Sequence, residues 1–143
     1  MTRLTDQDRI ARTRLLARIV GPFLLVAGAA VALRANTIDT LFPAFFQDTP
    51  LVLITGVFTL MVGLVMVAAH HHWNSLAASV ISVLAIVAVI RGVTLMLAPD
   101  LAAALAEGVT HAPAVPLALA ALIAIVGAWL TFIGWLQKAE SAS

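Results

Sequence analysis

Four long apolar runs dominate this sequence: Leu15 to Leu33, Leu51 to Ala69, Leu76 to Ala98 and Pro116 to Leu136. A helix crosses the hydrocarbon core of a bilayer in about 20 residues, and each run is long enough to do so. The second and fourth runs carry no charge and the third carries only Arg91. The first holds Arg18 near its start, where a long side chain snorkels to the headgroups, and is closed by Arg34. In lipid every backbone N–H and C=O must be satisfied internally, so only helices and closed barrels span, and these runs lack the alternation of barrel strands. The expected fold is all-α, an integral membrane protein of four transmembrane helices. It forms a single membrane domain over residues 1–143, with tails at 1–14 and 137–143.

Composition agrees with lipid as the solvent. Hydrophobic residues make up 62% of the 143 and charged residues 10%, with a mean hydropathy of +1.07. An ordinary soluble domain carries about 25% charged residues, and a chain this poor in charge cannot cover a water-facing surface. Cysteine is absent, which removes disulfides, thiolate catalysis and iron–sulfur ligation together.

The basic residues give an orientation. Arg3, Arg9, Arg12, Arg14 and Arg18 cluster at the first run, Arg34 stands alone after it, and Lys138 follows the last. By the excess of Lys and Arg in cytoplasmic flanks, both termini are expected in the cytoplasm. A basic head before an apolar stretch ending in Ala30-Val31-Ala32 also resembles a cleavable signal peptide. The length of the head and an internal symmetry favour a retained first span.

That symmetry appears on a shift of 64 residues, which lays Gly28 on Gly92, Leu33 on Leu97, Leu53 on Leu117 and Val62-Gly63 on Val126-Gly127. Each half then reads span, outer loop, span, and the repeat is expected to be parallel, about an axis along the membrane normal. The outer loops, Thr37 to Phe46 and Pro99 to Glu107, each place an acidic residue near the start of an apolar segment. Short interfacial helices or simple ordered turns both suit them.

Apolar side chains gain little by leaving lipid for protein, so membrane helices associate through small residues that let backbones approach. Ala120, Ala124, Gly127, Thr131 and Gly134 lie along one face of the fourth span. Gly56, Thr59 and Gly63 do so on the second, and Ala78, Ser82, Ala85 and Gly92 on the third. The first span shows no clear stripe. Such faces suit an intramolecular bundle, a homo-oligomer or docking against helices of another protein.

Among residues able to carry chemistry, Arg91 is foremost, because an ionisable group inside a span is costly and usually functional. It stands seven residues before Ala98, roughly 10 Å from that end at 1.5 Å per residue. Asp39, Asp48 and Asp100 are candidate ion-pair partners there. His70, His71 and His72, followed by Trp73, are weak metal-ligand candidates, since adjacent histidines point around a helix and His111 belongs across the membrane. Interfacial anchoring explains them more simply. No phosphate loop, HxxxH, GxSxG elbow or buried carboxylate pair is present, so the sequence points to no enzyme and no cofactor. The arginine-rich head is explained by topology and contact with anionic lipid, so nucleic acid is not an expected partner.

The pattern Gly56-x-x-x-Leu60-x-x-Gly63-Leu64, with His70-x-x-Trp73, Arg91-Gly92 and Leu97-Ala98-Pro99, resembles a group of small uncharacterised bacterial four-helix inner-membrane proteins. The resemblance implies an inner-membrane location and a shared importance of His70, Trp73 and Arg91, and it brings no activity. The expected function is that of an accessory or scaffolding protein acting through helix contacts, in a larger membrane assembly or a homo-oligomer. The alternative is a small oligomeric transporter or channel with Arg91 on the pathway, lined by Ser75, Ser79, Ser82 and the threonines of the second span. A metal-responsive role for the histidine triplet ranks third.

Overall fold

The computed structural model describes residues 6–69, 76–110 and 114–136, which are almost wholly helical and contain no strand. His70 to Trp73, Ser75, His111 and Lys138 lie outside the described residues. In chain order the elements are α1 (Asp6–Leu33), a 3-10 turn (Ala35–Thr37), α2 (Ile38–Gln47), α3 (Thr49–Ala69), α4 (Leu76–Leu97), α5 (Pro99–Thr110) and α6 (Ala114–Thr131), which runs into a π-helical turn (Phe132–Leu136). Four of these helices are long and apolar enough to cross a membrane, over 11–33, 49–69, 76–97 and 114–135. They coincide with the four apolar runs, and the loops Thr37 to Phe46 and Pro99 to Glu107 are largely helical.

Local chemistry fixes the boundaries. Asp48 ends α2 and caps α3: its Oδ1 accepts the N–H of Leu51 at 3.1 Å and its carbonyl accepts that of Val52 at 3.0 Å. Pro50 sits in that first turn, where a missing N–H costs nothing. Pro99 opens α5 in the same way, with the Ala98 carbonyl accepting from Ala102 at 3.1 Å.

The long helices form two antiparallel pairs, α1 with α6 and α3 with α4. Glycines set the crossings. A Cβ on Gly92 would lie 2.5 Å from the Leu60 backbone nitrogen, and one on Gly28 would lie 2.8 Å from that of Ala124. Likewise Gly63 faces the nitrogen of Val89 at 2.7 Å and Gly127 that of Leu25 at 2.5 Å. The 64-residue shift turns each of these contacts into its counterpart: Gly28–Ala124 maps onto Gly92–Leu60, and Gly127–Leu25 onto Gly63–Val89. The repeat expected from sequence is therefore built into the packing, as α1-α2-α3 and α4-α5-α6, with each half lending one long helix to each pair.

A cluster of Ala17, Met66, Ala77, Ile81, Ala85 and Leu130 joins the two pairs. These residues come from the start of α1 and α4 and the end of α3 and α6, so both halves begin at the same end of the bundle. This is the terminal end. The opposite, short-helix end carries α2 and α5, which touch one another.

At the terminal end α1 and α6 are clasped by polar groups. Arg18 Nε donates to the Gly134 carbonyl at 2.7 Å, its guanidinium lies 5.6 Å from the Trp135 ring centroid, and Trp135 Nε1 donates to the Arg18 carbonyl at 3.3 Å. Snorkelling alone does not describe Arg18. α1 also supplies Gly21, where a Cβ would meet Thr131 at 2.5 Å, so the first span has a packing face after all.

Candidate functional site

The most chemically distinctive place in the described structure is a cleft of about 350 Å³ at the short-helix end. Ala30, Val31 and Arg34 line it from the end of α1, Ile38, Leu41, Phe42 and Phe45 from α2, Thr55 from α3 and Arg91 from α4. It is thus apolar with two guanidinium cations, one from each half of the molecule.

The backbone beneath both cations is held. Arg34 follows α1, its N–H donating to the carbonyls of Ala30 and Val31 at 3.2 Å, while its own carbonyl accepts the Thr37 N–H at 2.9 Å and the Thr37 hydroxyl at 3.1 Å. Arg91 precedes Gly92, the point where α4 is pressed against Leu60 of α3. The aromatic wall comes from α2, where Phe45 packs edge-on against Phe46 with centroids 5.1 Å apart.

The candidate carboxylates do not reach Arg91. Neither Arg91 nor Arg34 makes a side-chain hydrogen bond or ion pair with a described residue. Asp48 is engaged in capping α3, and Asp39 and Asp100 lie exposed in the first turns of α2 and α5, where they favour the positive ends of those helices. Two exposed cations therefore share one apolar cleft with no anion among the described residues to neutralise them.

The remaining candidates separate from this place. Gly56, Gly63, Gly92, Ala120 and Gly127 are buried between helices, as is Gly134 against Arg18, and Ala124 meets Gly28. Thr131 is half-buried and its hydroxyl donates back to the Gly127 carbonyl at 2.7 Å, as that of Thr94 does to Ile90 at 2.8 Å. Ser82 is buried and its hydroxyl has no partner. No group of three or more His, Cys, Asp or Glu among the described residues is placed to hold a metal ion. In the sequence Arg34 reads only as the mark that closes a span, and its neighbours Phe42 and Phe45 are signalled by nothing more than an aromatic cluster that follows that charge.

No family model, curated protein or solved structure matches the chain.

Proposed function

We propose that this chain is an accessory component of the bacterial inner membrane, with both termini in the cytoplasm, that serves a larger membrane assembly through its lipid-exposed faces and its outer end. With cytoplasmic termini, the short-helix end and its cleft face the outer leaflet. The observation that carries this reading is how the interior is used. Glycine-mediated crossings hold the pairs in backbone contact, and the inter-pair cluster is filled by side chains such as Ile81 and Leu130, both 0% exposed. Only 17% to 28% of the residues in the most apolar stretch of each span are fully buried, so each span keeps an exposed face. The glycines and alanines expected to meet a partner are largely consumed within the chain, which directs attention to α2, α5 and the cleft between the halves.

The test is to extract the natively expressed protein in lipid particles, measure the mass of the intact assembly and identify every component. A stoichiometric foreign subunit is expected. A chain that stays alone and monomeric in native lipid would overturn the reading. The alternative, a small oligomeric transporter, draws support from Arg34 joining Arg91 at one cleft. It requires the path to run between copies, because the apolar cluster closes the single bundle. Solute flux in reconstituted vesicles that Arg91→Ala abolishes without loss of folding would favour it.

A further inference from the structure

We propose that the cleft at the short-helix end is a binding site for an anionic phospholipid, whose headgroup phosphate is held by Arg34 and Arg91 and whose acyl chain lies over Phe42 and Phe45. This requires the membrane placement but not the accessory role.

Both cations line the same hollow, and neither has an anion or hydrogen-bond partner among the described residues. A cation on a membrane span is expensive unless paired or hydrated, and Arg91 sits about 10 Å inside the end of its run. The guanidinium fork matches a phosphate, donating two parallel hydrogen bonds. The walls exclude a purely polar ligand: apart from the arginines and Thr55, every residue lining the cleft is apolar. At about 350 Å³ the cleft falls at the small end of ligand-sized pockets, room for a headgroup and the upper part of one chain. It is open on one side, so the remainder of the acyl chain stays in the bilayer. The geometry thus asks for one molecule with a phosphate of net negative charge, since a choline cation beside the phosphate would be repelled by the two guanidiniums, and with an apolar tail supplied from the surrounding leaflet. A free phosphate satisfies the arginines and leaves the Phe42 and Phe45 wall uncovered.

The experiment measures lipid retained on the purified protein by native mass spectrometry, with phosphatidylglycerol competing against phosphatidylcholine of the same chain length, and with inorganic phosphate added in a separate arm. Preferential retention of one phosphatidylglycerol is expected, unaffected by millimolar inorganic phosphate. Each of Arg34→Gln and Arg91→Gln is expected to weaken that preference roughly tenfold, the worth of one hydrogen-bonded charge. Arg91→Lys keeps the charge, loses the fork and falls between. Arg14→Gln removes one positive charge at the terminal end and is expected to leave the preference intact. Equal retention of the two lipids, displacement by inorganic phosphate, or an equal loss in Arg14→Gln would each overturn the proposal. If Arg91→Gln fails to fold, Arg34→Gln and Phe42→Ala carry the same test, Phe42→Ala weakening retention of both lipids while sparing the ratio between them.

Discussion

The main-chain carbonyl of Arg18 accepts a hydrogen bond from the indole Nε1 of Trp135, 117 residues further along the chain, at 3.3 Å. In an unbroken α-helix that carbonyl would receive the N–H of residue 22, but residue 22 is proline and has none to give. Trp135 supplies the missing donor from a neighbouring helix, and Arg18 answers by donating to the Gly134 carbonyl at 2.7 Å. In a low-dielectric setting a carbonyl left bare costs free energy that this exchange recovers.

Trp135→Phe should therefore destabilise the bundle by about 0.5–1.5 kcal/mol in a reversible unfolding assay in mixed micelles. In a Pro22→Ala background the helix regains its own donor, and the same substitution should lose most of its effect. Additivity of the two changes would show that Trp135 does not compensate for the proline.

Gly92→Ala should destabilise by about 1–3 kcal/mol, since the added methyl meets backbone and not a flexible side chain. Gly108→Ala is the contrast: a Cβ there meets nothing within 4 Å, and the gain in helix propensity is up to about 1 kcal/mol. A thermal unfolding series that ranked the two the other way would refute the packing described.

Ser82→Ala should be neutral or stabilising by up to about 1 kcal/mol, because it removes a buried hydroxyl that has no partner. A loss of more than about 1 kcal/mol would mean that the hydroxyl is engaged in the native membrane. The same variant bears on transport, since a pathway lined by Ser82 would change its flux.

The absence of cysteine makes the pairing directly testable. The double-cysteine variant Gly56→Cys/Leu95→Cys should cross-link within one chain under mild oxidation, since a Cβ on Gly56 would lie 3.2 Å from that of Leu95 and is otherwise crowded only by the flexible Met96 side chain. Leu95→Cys/Ala124→Cys should not, because those residues belong to different pairs. Products at twice the monomer mass would assign the contacts to separate copies.

The spans were legible because length and the absence of charge are sufficient signals in lipid, and the repeat was legible in Gly28, Gly63, Gly92 and Gly127 because each has a partner at the same offset. Which stripe met which was not legible. The fourth span's stripe fits any close neighbour, and only the fold shows that neighbour to be α1, the helix with the least obvious face. The cleft was half legible: Arg91 stood out as a charge within a span, whereas Arg34 and the phenylalanines of α2 reach it by a chain reversal that no local pattern encodes. The Arg18–Trp135 clasp was invisible, because a proline's orphaned carbonyl names no partner in sequence.

The way the halves exchange helices has a consequence for synthesis. α3 and α4 are neighbours in the chain and can close on each other as soon as they emerge, a local event with little loop entropy to overcome. α1 is made before either of them, yet the helix that covers Gly21 and Gly28 is α6, made after both. The α1 face that holds these glycines therefore lacks its native cover until α6 is made, so the α1–α6 pair is a long-range closure, whereas α3–α4 is a local one.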